Sequence, residues 1–534
     1  MKRLISLLIS VLFLLMLAEV STAQNKAPLT YQDFDQWKSI SGQTLTPDGR
    51  FLIYALNPQE GDGAIKVQNL RNNNEVSHAR GERFEVSYDG QTLVFFISAP
   101  YDSVRQALIN EKKPDEIFDD TLAVYSIYEG DLETFPEVES FKFPERSGAW
   151  LAYLYDRDSE EEENGSENAE EEQKEETAAN ADSSAAEPPV IENELVLRNI
   201  ETAEETVIEY AEDYFFSRHG ERLVYVTADE DSLQTPGVHV LETATGTTTT
   251  ISSGLQSYTS VVMDSTASRI AFLARPAEEK EENGDEEEIE TETEEEKEEA
   301  EEDAEPEFYT LYFWEEGMEE AKALVDESSE LLTEGWMVNE YASPEFSHNG
   351  NRLFFGIAPE PIRRDTTVEK IDIASVDIWN WKDDRLQPQQ LVQLEQDKKK
   401  TYRSIYHIEE ESFIQLEDDE MRTIIVPDRG DSDYAIGTHN LPYLYLMQWE
   451  GFPTYNDVYW VDVKTGERKQ FGEKVKASFS FSPGGTYAAW YDYKDRNWYT
   501  INLETQAVET LTDELDVPFY DELHDSPSDP GPYG

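Results

Sequence analysis

Cysteine is absent from all 534 residues. A chain without it holds neither a disulfide nor a thiolate metal centre, so its stability has to come from core burial. Histidine is scarce. The seven (His78, His219, His239, His348, His407, His439 and His524) contain no pair spaced four apart and no HExxH, which argues against a zinc site. Basic residues are few, 43 against 115 acidic, for a formal net charge of -72. That balance argues strongly against nucleic acid or an anionic lipid surface as a partner. No G-x-S-x-G elbow occurs, and no strand-elbow-helix pattern presents a serine nucleophile. The expectation is therefore no catalytic residue, no metal and no cofactor within this chain.

Long apolar runs are lacking too, with one exception at the start. Lys2 and Arg3 precede an apolar stretch from Leu4 to Leu17, and Ser21-Thr22-Ala23 follows. At about 14 residues the stretch is short for a bilayer-spanning helix, so 1–23 reads as a cleaved signal peptide. A retained anchor is the alternative. No cysteine follows the run, so a lipoprotein terminus is excluded, and the expected location is periplasmic or secreted. Two acidic tracts, 159–189 and 277–307, have no apolar periodicity and no aromatic residue. They cannot bury enough surface to offset their ordering entropy and read as disordered insertions. Capture of cations or of a basic partner is the functional alternative. An acidic surface throughout would also suit high salt.

What the chain has in abundance is one repeated phrase. "LTPDGRFLIYAL" at Leu45 sets a polar turn before an apolar, β-rich strand. The phrase returns at Val86, Phe143, Phe216, Met263, Phe346 and Phe481. Between these lies a second hairpin type with alternating apolar and polar residues, starting at Ala64, Leu122, Glu194, Val238, Tyr309, Asp377, Asp457 and Tyr499. The missing member of the first series is expected at Tyr406, "YHIEEESFIQLEDD", with a degraded turn. Two hairpins per unit make four strands, and a period of about 40 to 60 residues is that of a β-propeller. The predicted fold is all-β, a β-propeller of about eight four-stranded blades over 45–534. A β-sandwich or a pair of barrels is the alternative, but neither repeats one two-hairpin order eight times. Segment 24–44 is expected to be a helical lead-in, and a short surface helix is expected over Ser103–Lys112. The acidic tracts and segment 99–121 all fall between the first and second hairpin of a unit.

Other groupings are read as structural. "DRGDSDY" at Asp428 crowds oxygen ligands but lacks the glycine and terminal glutamate of a calcium loop. His524, Asp525 and Ser526 have the residue types of a triad, yet neighbours in sequence are expected to point apart. Trp379, Trp381, Trp460 and Trp490 lie in strand-like patterns and are expected in the blade core rather than on a ligand platform.

Three stretches resemble exported members of the prolyl oligopeptidase family. They are "LTYQDFDQWKSISGQTLTPDGRFLIYAL" from Leu29, "LYLMQWEGFPTYNDVYWVDVKTGERKQF" from Leu444, and the tail "ELHDSPSDPGPYG". The resemblance covers the mature chain chiefly as blade pattern. It implies a propeller that caps an α/β-hydrolase domain and limits access to a Ser-Asp-His triad, favouring short peptides as partners. The hydrolase portion and its triad have no matching positions here. The resemblance therefore points to the non-catalytic, substrate-gating propeller of a serine peptidase, as a truncated or split product. The acidic pair with which some relatives hold a peptide amino terminus has no unique match among the many Glu-Glu pairs. A stand-alone periplasmic binding propeller of the TolB-like kind is the rival reading.

Overall fold

The computed structural model describes residues 30, 34, 37–110, 112, 120–156, 193–228, 235–264, 268–276, 308–361, 376 and 378–533. Two compact units divide the chain, 1–141 and 142–534. The strands form eight antiparallel sheets, the eight blades of an all-β propeller. They span 38–79, 81–135, 138–209, 211–253, 257–325, 336–415, 423–476 and 479–510. Seven have four strands in sequence order. Blade six has a broken first strand, Trp336–Val338 and Glu345–Phe346, both paired with Arg352–Pro359.

The repeated phrase is the hairpin between the first and second strands, and its turn chemistry explains why it recurs. In blade one the Thr46 N–H donates to the Phe51 carbonyl and the Phe51 N–H donates to Thr46 Oγ1, both at 3.0 Å. The same two bonds join Ser87 with Thr92, Ser217 with Arg222, Ser347 with Arg352 and Ser482 with Tyr487. A hydroxyl at this position satisfies a strand N–H that the turn leaves without a ladder partner. Glycine closes the turn at φ +76° in Gly220, where an added Cβ would also meet the Pro144 ring at 2.6 Å. Conformation and close approach both require it there.

Burial follows strand position. The second strands of blades two, four, five and six are almost wholly buried, as in Thr92–Ile97 and Arg352–Pro359. The fourth strands Glu75–Ala79 and Glu205–Glu209 are largely exposed. In the second unit, apolar clusters join neighbouring sheets in turn: blades three and four share Leu154, Leu197 and Leu223, and blades seven and eight share Trp460 and Trp490. Three arginines that open second strands reinforce this stacking. Arg222 reaches Glu316 of blade five at 2.9 Å, and Arg269 donates to the Gly350 carbonyl of blade six at 2.7 Å. Arg352, buried, donates to the Gly430 and Ser432 carbonyls and to Asp433 of blade seven.

Four expectations need correction. The first blade starts at Lys38, inside the segment expected as a helical lead-in, and most of that segment's remainder lies outside the described residues. The hairpin at Tyr406 is not a member of the first series: Tyr402–His407 and Ser412–Gln415 are the third and fourth strands of blade six. The stretch at Asp377 is accordingly not a hairpin, and Gln387–Lys398 within it is a helix. The first hairpin of blade seven is instead Thr423–Ile425 with Tyr434–His439. The expected surface helix is present as Tyr101–Ile109, starting two residues and ending three residues earlier than expected. The signal peptide and both acidic tracts lie outside the described residues, the tracts within second-to-third strand connections of blades three and five.

Candidate functional site

The candidate site lies in the connections between second and third strands. Helices are labelled α1 (Tyr101–Ile109), α2 (Gln387–Lys398) and α3 (Leu444–Glu450), and each lies in such a connection, of blades two, six and seven. Neither α2 nor α3 has a buried residue. Pro388 suits the first turn of α2, where its missing N–H has no partner to lose. Gly451 ends α3 at φ +67°, with its N–H donating to the Met447 carbonyl at 2.9 Å.

Among the described residues, these two connections hold most of the large apolar side chains that are nearly fully exposed. Among the described residues, large apolar side chains more than two-thirds exposed are Val376, Ile378, Trp379, Trp381 and Val392 in blade six, Trp449 and Phe452 in blade seven, and Leu523 in the tail. Trp381 is 89 % exposed and Trp449 86 %. Scattered single apolar residues on a surface need no explanation, but a concentration of aromatic ones marks an interaction surface. Charge differs between the two. Residues 434–449 contain no Asp, Glu, Lys or Arg, whereas the α2 connection carries the run Lys398-Lys399-Lys400.

Trp379 and Trp381 therefore correct the expectation that all four tryptophans are core. Trp460 and Trp490 fulfil it. Trp460 is buried with its Nε1–H on the Leu503 carbonyl at 2.7 Å, and Trp490 stacks on Tyr499 at 5.4 Å. The signal that could have separated them is local: Trp379 and Trp381 flank a Lys-Asp-Asp-Arg turn and a proline rather than a second β-rich run.

The histidines do not converge. His239 sits between Thr227 Oγ1 at 3.1 Å and Thr250 Oγ1 at 3.0 Å, stacked on Tyr225, and burial pushes its imidazole below the ordinary value. It borders a shallow groove with Ile208, Tyr210, Leu241 and Thr248. Burial likewise lowers His407, although its Nε2 lies 3.2 Å from the Val463 carbonyl, and His78. His219 and His348 occupy first-hairpin turns, and His439 ends a strand. No group of three or more His, Asp or Glu among the described residues is arranged to hold a metal. The carboxylates of the Asp428 loop serve blade contacts: Asp431 accepts the Asn349 N–H at 3.0 Å, and Asp433 takes Arg352 and Lys464.

The tail departs from expectation in one respect. Ser526 Oγ lies 2.8 Å from His524 Nε2, so these near neighbours do meet. Ser528 Oγ stands 2.7 Å from Ser526 Oγ and 3.1 Å from the same His524 nitrogen, and all of these contacts are exposed. A hydroxyl so shared on an open loop lacks the buried, oriented geometry of a nucleophile.

No protein-family model matches the chain, and no curated protein matches it. Solved structures do. The β-propeller domain of the Trilobed protease from Pyrococcus furiosus is 12 % identical with a TM-score of 0.30, over 82 % of this chain and 99 % of that one. Acylaminoacyl peptidase from Pyrococcus horikoshii is 10 % identical with a TM-score of 0.29, over 88 % of this chain and 58 % of that one. TolB from Acinetobacter baumannii is 10 % identical with a TM-score of 0.24, over 92 % and 86 %.

Proposed function

We propose that the chain is a non-catalytic propeller that gates or presents peptides for a serine peptidase of the prolyl oligopeptidase kind, exported by its N-terminal leader. The observation that carries this reading is the pair of connections in blades six and seven. Rigid sheets hold them at their bases, and they offer Trp379, Trp381, Trp449 and Phe452 to solvent. Exposed aromatic rings suit apolar and proline-containing peptide segments, and in blade seven the rings stand on a connection with little charge. The family resemblance of the sequence supplies the peptidase context, and the lack of a G-x-S-x-G elbow assigns the chemistry to a hydrolase not encoded in these residues.

The test uses the purified chain with proline-containing tetrapeptides and a fluorophosphonate serine probe. Peptide binding is expected in calorimetry, without cleavage and without labelling. Labelling of a serine would overturn the non-catalytic reading. Absence of any peptide binding would favour the stand-alone binding propeller, whose partner would then be a folded protein.

A further inference from the structure

Three ammonium groups converge on one buried ring. Lys474, Lys476 and Lys494 place their Nζ atoms 5.0, 5.7 and 5.8 Å from the centre of the Tyr455 ring. In a chain of net charge -72 such a gathering of cations is out of character. Lys476 ends the fourth strand of blade seven and its side chain is 1 % exposed. A buried ammonium is costly unless it is paired and fully hydrogen-bonded.

Its partners are the Glu450 carbonyl at 2.9 Å and the Asp529 carboxylate at 2.9 Å. Lys494 binds the same Asp529 oxygen at 3.1 Å and Glu450 Oε2 at 3.0 Å, and Glu450 also accepts the Tyr455 hydroxyl at 2.5 Å. The carboxylates of Glu450 and Asp529 thus pair with Lys476 and Lys494, with the third ammonium, Lys474, over the same ring, and without Asp529 the cations outnumber the anions further. Burial disfavours the Asp529 anion, but hydrogen bonds from Lys476 and Lys494 outweigh it and hold its carboxyl below the ordinary range.

Asp529 comes from a different kind of element than its partners. It sits on the tail after the last blade, in a loop closed largely on itself. Tyr520 bridges Pro532, the Asp521 N–H donates to the Gly531 carbonyl at 2.9 Å, and the Tyr533 hydroxyl donates to Asp521 at 2.9 Å. Such a loop can lift without breaking a blade, because its own bonds travel with it.

We propose that Lys476 and Lys494 form a carboxylate-binding site that Asp529 fills as an internal ligand, and that a carboxylate of a second molecule takes its place when the tail lifts. The site adjoins α3 through Glu450, next to exposed Trp449. A bound peptide would offer either its terminal carboxylate or an acidic side chain.

The experiment measures melting of the full chain and of D529A in acetate and in chloride at equal ionic strength. D529A is expected to melt about 3–6 °C below the parent chain in chloride and to recover in acetate, with no acetate effect on the parent. D529A/K476M should not respond to acetate. An equal acetate shift in the parent and D529A, a response retained by D529A/K476M, or no shift in any of them would overturn the proposal. Should D529A fail to fold in chloride, its refolding yield in acetate decides the matter: recovery supports the site and no recovery overturns it. N-acetylalanine and N-acetylaspartate amide, compared on D529A, then identify terminal or side-chain carboxylate as the better ligand.

Discussion

Trp460 and Trp490 share a residue type with Trp379 and Trp381 and meet opposite fates. The first pair lies on strands whose faces are covered by a neighbouring sheet, and each is 5 % exposed. The second pair lies in a connection that leaves the sheet after its second strand, and at 68 % and 89 % exposed it contributes little to the core. The strand environment turns an indole into stability. The connection leaves the same indole available to a partner.

The largest expected effect sharpens this contrast from the strand side. Trp460→Ala or Trp490→Ala should cost about 3–5 kcal/mol in denaturant unfolding, because each removes a large buried ring from between two blades. A loss below about 1 kcal/mol would break the comparison. Next in size is the contact between blades six and seven. Arg352→Met should cost about 2 kcal/mol, since it leaves the Gly430 and Ser432 carbonyls without their charged donor. Unfolding followed by tryptophan fluorescence and by circular dichroism would measure it.

Protonation gives a smaller effect with a defined sign. Burial holds His239 below its ordinary value of 6.5, so the unfolded chain takes up a proton there before the folded chain does. Its contribution is complete above about pH 6.5 and falls as pH drops, by at most about 1.4 kcal/mol per pH unit. His239→Gln should flatten the stability profile between about pH 6.5 and 5.5, and an unchanged slope would contradict a buried neutral imidazole. Ser217→Ala should cost about 1 kcal/mol through the lost bond from the Arg222 N–H. Smallest of all, Trp381→Ala should change stability by less than about 0.5 kcal/mol.

The blades were legible because five of the eight first hairpins carry the same turn chemistry within a dozen residues. Ser or Thr, a polar pair, glycine and an apolar run are all local. Register failed where locality failed. In blade six the second and third strands are separated by residues 360–401, and "DIWNWKDD" mimics the alternation of a strand. In blade seven the first strand is only Thr423–Ile425, and its turn runs through Asp428 and Arg429 at positive φ instead of a short glycine turn. The arginine contacts were illegible for a related reason. Arg352 meets Gly430 and Asp433, which belong to the next repeat, and no spacing within one repeat announces such a pair. The exposed aromatic surface was misread because an indole carries the same apolar signal in either setting; only the covering sheet distinguishes them.

The most direct measurement replaces Trp379, Trp381, Trp449 and Phe452 with serine in one chain and records melting together with calorimetric binding of proline-containing tetrapeptides. A melting temperature within about 3 °C of the parent is expected, because these side chains lie outside the core, together with peptide affinity at least about tenfold weaker. A cooperative fold lost with these four residues, or peptide affinity left unchanged, would contradict this expectation.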